Sequence, residues 1–294
     1  MESEPLPPNR VALLTAVTLV AFAGNSLLCR AALAVEGMDA ASFTLIRLVS
    51  GAVMLLALLA LRGRVRATLA SGSWASAVTL VAYALLFSLA YRSIPAGVGA
   101  LVLFAAVQLT MLTAAVRAGA GPQGSGWLGV ALAFGGLITL TLPGATAPDP
   151  VGVLLMSLSG VGWGIYSLRG RGSVSAAHAT ESTAANFAYA SVIALPACIA
   201  LAQWTPVSIG ARGVAIAMTA GAITSGLGYV LWYTVLPALG TTRAAVLQLS
   251  VPVIASLAGA VLLSEQLTPR LIGASAAILG GIALVIRRQK AGSA

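Results

Sequence analysis

Charged side chains are scarce in this chain. Only 8% of its 294 residues are Asp, Glu, Lys or Arg, against 59% apolar residues. No water-soluble domain of that length has such a composition, which reads as an all-α polytopic membrane protein. Lysine is nearly absent: Lys290, in the C-terminal tail, stands alone. Deep sites for phosphate or sugar nucleotides call for basic groups, and lysine supplies none here. Histidine is equally rare. His178 is the sole example, in a polar stretch between apolar runs. Ser225 stands before Gly226, but a Ser–His nucleophile would need a histidine on a span. Cysteine is limited to Cys29 and Cys198, both inside apolar segments. Two isolated cysteines make neither a disulfide frame nor a metal site. An enzyme is therefore not expected, nor any metal or cofactor. The formal charge of +9 comes from arginines standing singly at the ends of apolar runs. They form no basic aromatic surface, so no nucleic-acid partner is expected. The opening MESEPLPPNR is acidic and lacks the positive region of a signal peptide, so the first apolar run reads as a retained helix.

What the chain does have is length in apolar runs. A helix crosses a bilayer core in about 20 residues. Charges and Pro/Gly clusters cut the sequence into about ten such spans: 11–35, 40–61, 73–91, 96–116, 126–142, 151–168, 182–203, 213–236, 241–263 and 270–286. The arginine bias sets orientation. With the N-terminus inside, Arg10, Arg62, Arg64, Arg66, Arg117 and Arg169 all fall inside, while Arg92, Arg212 and Arg270 fall outside. Both termini are expected in the cytoplasm. Arg30 and Arg47 are placed near the outer ends of the first two helices, free to snorkel outward or to pair with Glu36 or Asp39. That structural role is preferred over binding a substrate carboxylate.

The run TTRAAVLQLSVPVIASLAGAVLL, from Thr241, is the most informative. Gln248 lies near mid-depth. Pro252 follows four residues on, and a helix proline frees the carbonyl four residues before it. The stretch is either a kink with Gln248 bonded to a neighbouring helix, or a wall of a substrate cavity. Other spans carry polar and aromatic groups at depth. Gln108, Asn25, Ser26, Trp163, Tyr83, Asn186 and Tyr229 are the candidate substrate-binding residues beside Gln248. Tyr83, Phe87 and Tyr91 share one helix face at i, i+4, i+8. The Gly160-to-Gly164 spacing permits close packing, and with Pro252 these glycines are candidate hinge or packing points. Trp232, Tyr233, Tyr91, Trp74 and Trp127 read as interfacial belt residues.

The chain also repeats itself. WLGVALAFGGLITL, from Trp127, matches LIGASAAILGGIAL, from Leu271, with Gly129/Gly273 and Gly136/Gly280 both 144 apart. AGVGALVLF, from Ala96, matches TTRAAVLQL at 145, and FAGNSLLCR matches WGIYSLRGR at 141 for Ser26/Ser167. Three matches in one order suggest duplication, with halves at 1–145 and 146–294. Five spans per half is an odd number, so the second half would be inverted, a transporter architecture with its site near the midplane.

These stretches, with SIPAGVGALV and ALGTTRAAVLQLSVPVIASLAGAVLLSEQLTPRLIGASAAILGGIAL, resemble the EamA-type fold of the drug/metabolite transporter superfamily. Within it the chain is most similar to YddG-type amino-acid exporters. The resemblance implies ten helices in two inverted five-helix repeats, alternating access, and export of amino acids, aromatic ones especially. The first half departs from the pattern: Val107 stands where the second half has Pro252, and nothing matches Glu265. Every Asp and Glu is expected in a tail or loop, so no ion is expected to be coupled. A neutral or zwitterionic solute moving down its gradient through a monomer is the expected function; a passive channel or a flippase is the alternative.

Overall fold

Asp39, Ser73 and Asp149 sit where apolar runs begin, and each starts a helix. Asp39 accepts from Ser42 N at 2.8 Å and opens α2 (Ala40–Ala60). Ser73 accepts from Ser76 N and opens α4 (Trp74–Ala90). Asp149 accepts from Gly152 N at 2.7 Å at the start of α7 (Pro150–Gly170). These side chains occupy backbone donors that a helix start leaves unpaired. Proline does similar work where its missing N–H costs nothing: Pro8 begins α1 (Pro8–Arg30), Pro95 precedes α5 (Ala96–Arg117), and Pro269 begins α12 (Pro269–Ala291). Gly37 and Gly63 turn the chain after α1 and α2 with φ of 68° and 67°, a conformation that residues with a Cβ avoid.

The computed structural model describes residues 7–119, 124, 126–144, 146–170, 176–204 and 206–291. The remaining helices are α3 (Val65–Ala70), α6 (Gly126–Thr141), α8 (Ala176–Ala202), α9 (Ala211–Thr219), α10 (Gly228–Gln248) and α11 (Ser250–Leu262). Two π-helical segments intervene, Ala31–Val35 after α1 and Ala220–Leu227 between α9 and α10. Among the described residues every regular element is helical. Six helices of the described residues are long and apolar enough to cross a membrane, and Trp74–Ala90, Gly126–Thr141, Ser250–Leu262 and Pro269–Val285 are shorter apolar helices. Val20, Val53, Leu128, Leu154, Val192 and Leu257 point outward and are exposed. Apolar surface on that scale belongs against lipid. The chain is a multi-pass membrane protein.

Small residues bring the helices together. A Cβ on Gly129 would lie 2.5 Å from the Gly281 carbonyl, and one on Gly136 would lie 2.9 Å from the Ala277 methyl, so α6 and α12 meet backbone to backbone. Gly281 lies at this contact, whereas a Cβ on Gly280, which the repeat aligns with Gly136, would meet nothing within 4 Å. Gly160 packs on Ala106 and Gly164 on Thr110, fixing α7 against α5. Further packing joins α4 to α7 and α8, α2 to α8 and to the second π segment, α1 to α10, and α5 to α11.

Four sequence expectations change. The join at 62–72 contains the short helix α3. The seventh span starts earlier, at Ala176, so His178 and Glu181 lie on a helix and not in a loop. Glu181 is buried and paired with Arg64 at 3.0 Å, which is how a carboxylate survives there. Tyr91 and Trp232 are buried, not interfacial: Tyr91 packs edge-on to Phe87 at 4.7 Å, and Trp232 packs on Phe22 at 5.6 Å. Finally, Tyr229 and Gln248 belong to one helical element, where a straight helix would separate them by roughly 28 Å. Both line one cavity, so α10 doubles back between them. Pro237, inside it, interrupts the hydrogen-bond ladder. The ladder breaks again at Leu249, and Pro252 falls in the first turn of α11, where an N–H would be unpaired anyway.

Candidate functional site

The centre of the bundle is built from rings. Tyr83 and Phe87, one turn apart on α4, lie 5.4 Å from each other, and Tyr83 lies 4.9 Å from Trp163 of α7. Trp163 also meets Tyr229 of α10 at 5.2 Å, and Tyr229 meets Phe22 of α1 at 5.9 Å. These five rings wall a small cavity, completed by Leu103 and Phe104 of α5 and by the polar groups of Asn25, Ser26 and Gln248. Its free space is about 30 Å³, room for a water or two. A larger solute therefore enters only when a wall moves.

Asn25 is tied down. Its Oδ1 accepts from Thr224 Oγ1 at 2.7 Å and from Ser225 Oγ at 3.0 Å, two adjacent residues on the wide π turn. π segments cluster at functional sites in helical proteins. The side-chain amide of Gln248 makes no hydrogen bond among the described residues, and Gln248 lines the central cavity.

Arg47 corrects the sequence reading most sharply. The sequence puts it near the outer end of its helix; it is 2% exposed, inside the bundle. Its Nη2 donates to Tyr83 Oη at 3.0 Å and its Nε to Ser225 Oγ at 3.2 Å. The guanidinium lies 5.4 Å from the Tyr83 ring centre and 5.1 Å from that of Phe87. Nη1 is buried with no hydrogen-bond partner. Neither Glu36 nor Asp39 pairs with either arginine. Arg30 instead bonds Glu265, Nε to Oε1 at 3.2 Å, and the carbonyl of Tyr91 at 2.9 Å. Both oxygens of Glu265 accept from Ala96 N, at 3.0 and 2.8 Å. One carboxylate thus joins the end of α1, the start of α5 and the loop after α11, closing the bundle at its Arg30 end.

The opposite end is open. A crevice of about 440 Å³ is lined by Ser73, Ser76, Tyr166, Arg169, Asn186 and Tyr233, with His178 among its remaining walls. Arg169 is held by Ser76 Oγ at 3.1 Å and Asn186 by Ser73 N at 2.8 Å. Trp163 stacks on Tyr166 at 5.4 Å, so this pair stands between crevice and central cavity.

Residues 150–287 match the EamA-like transporter family. An uncharacterized transporter of Archaeoglobus fulgidus is 28% identical over 167 residues, 55% of this chain and 57% of its own length. The family match thus falls on the second half of the chain, which is similar to EamA-like transporters. An uncharacterized protein of Pseudomonas aeruginosa is 50% identical over 281 residues, covering 96% of both chains. A crystal structure with 19% identity overlays 94% of this chain and 96% of its own with a TM-score of 0.65, which shows a shared fold. EamA-like proteins are transporters, the class that the sequence suggested.

The candidates named from the sequence divide. Asn25, Ser26, Tyr83, Trp163, Tyr229 and Gln248 meet at the central cavity. Asn186 lines the crevice, and Gln108 lines neither. Sequence reasoning missed Phe22 and Phe104, which carry no polar signal, and Ser225, whose role depends on the π turn. For Arg47 it preferred a structural role near a helix end, because the burial of this residue depends on neighbouring helices. Among the described residues no cluster of His, Cys, Asp and Glu could hold a metal ion.

Proposed function

We propose that the chain exports neutral or aromatic amino acids, or similar small zwitterions, by alternating access across a bacterial inner membrane. The carrying observation is a ring-walled chamber with amides at its centre, lying between a closed Arg30–Glu265 end and an open polar crevice. Aromatic faces suit an apolar side chain, and Asn25 and Gln248 suit its polar end. In this reading the crevice is the cytoplasmic entrance, both termini are cytoplasmic, and movement of Trp163 and Tyr166 admits the solute.

The halves 1–145 and 146–294 act as inverted five-helix repeats that rock about the chamber, with Gly160, Gly164 and Pro252 as packing and bending points. The pairing of helices supports this. With the fifth spans at α6 and α12, α6 meets its counterpart α12, α5 meets α11 and α2 meets α8, while the α4–α7 contact is mirrored by α10 on α1. Such pairing is what a two-fold axis in the membrane plane produces. A duplicated chain closes its own chamber, so a monomer suffices. Counterflow in proteoliposomes tests the function. Labelled phenylalanine should exchange with saturation and be accelerated by unlabelled amino acid on the far side. Flux without saturation or acceleration would mark a channel, and no flux of any amino acid would refute the reading.

A further inference from the structure

Arg47 is a permanent cation, since a guanidinium does not lose its proton in a protein. It is buried between α2, α4 and the π segment, yet its surroundings are neutral: one phenol, one hydroxyl and two ring faces. The two ion pairs among the described residues, Arg30–Glu265 and Arg64–Glu181, leave it out. A charge buried without a counter-ion is costly, and in membrane helices such a residue is ordinarily paired or lies beside a transport route. Its place answers why this one is kept. Tyr83 and Phe87, the rings it touches, are walls of the chamber, and Ser225 links it to Asn25, a third wall residue. Nη1, buried and unbonded, is a donor held one side chain behind that wall.

We infer that Arg47 is the anionic-group anchor of the chamber: the transported solute carries a carboxylate, which serves as the counter-ion of Arg47 when Tyr83 swings aside. The inference rests on the proposed transport function and deepens it, naming the residue that holds the solute's carboxylate and making that group a requirement for transport. The aromatic wall then discriminates the rest of the molecule. Tyr83 has a defined part, since its hydroxyl occupies Nη2 before the solute arrives and competes with it.

The test is counterflow with three solutes of one shape: phenylalanine, phenylalaninamide and 3-phenylpropionate. The parent should exchange both acids and discriminate against the amide by roughly ten- to a hundredfold, the ratio expected when a hydrogen bond to a charged group is lost. Arg47→Gln should lose that discrimination; Arg47→Lys, which keeps the charge, should retain part of it and guards against a mere folding defect. Transport of the amide as fast as the acids would overturn the inference while leaving the carrier reading intact. Failure of all three solutes to move would overturn both. Normal acid selectivity in a well-expressed Arg47→Gln protein would overturn the role of Arg47 alone.

Discussion

Trp163 meets three tyrosine rings, those of Tyr83, Tyr166 and Tyr229, and so belongs to both the chamber and the partition beside it. Its replacement by Ala removes ring contacts worth ~1–2 kcal/mol, which raises KM about tenfold. Gln248→Ala removes the unbonded amide with similar effect. Membrane abundance should stay near that of the parent, since both residues face a cavity. Parent-like transport by both variants would remove them from the site. Much of this was legible in the sequence, because polar and ring side chains are rare in the spans and stand out there. Arg47 was misread for a physical reason. Arginine near a loop usually snorkels, and depth was counted along α2 from Asp39. Seven residues into α2 is only about 10 Å of rise, but α4 and the π segment cover that level of the helix. Nothing along α2 itself announces such cover.

Pairs of elements carry the next set of expectations. The α6–α12 contact depends on Gly129 and Gly281, whereas a Cβ on Gly273 would meet nothing within 4 Å. Gly129→Leu should cost about 1–3 kcal/mol by overpacking, and Gly273→Leu should be close to neutral. Thermal midpoints in detergent distinguish them; equal loss in both would mean that the helices meet through another face. The start of α7 is sensitive to pH. The Ser93 hydroxyl and the Gly152 N–H hold the Asp149 carboxyl below its ordinary range, with burial opposing weakly. A depressed carboxyl contributes stability above its unfolded pKa and loses it as pH falls through the folded value. The thermal midpoint of Asp149→Asn should therefore lie below that of the parent at neutral pH, and the gap should close in acid. A gap independent of pH would contradict this. The apolar runs and caps made nearly all helices readable. The π segments and the fold-back in α10 were not, because both depend on which neighbours a helix meets.

For the molecule as a whole, energy coupling and access are the open properties. Charge patterning leads to an expected orientation, and weak repeats lead to an expected two-fold symmetry. The expected absence of carboxylates from the spans fails at Glu181, which is buried on α8 beside Arg64. This ion pair sits at the end bearing the crevice, away from the chamber rings, so flux should still be unchanged by a proton gradient at constant potential. Uphill accumulation driven by the gradient would contradict this, and its loss in Glu181→Gln would name the coupling group. Access is the central claim, that the ring-walled chamber binds the solute and is entered from one side at a time. It is tested most directly with Ser26→Cys in a background where Cys29 and Cys198 are Ala. An impermeant thiol reagent should label Cys at position 26 from the cytoplasmic face, and excess phenylalanine should protect it. Labelling from the outer face should require breaking the closure with Arg30→Gln. Equal labelling from both faces, unaffected by the amino acid, would contradict the account.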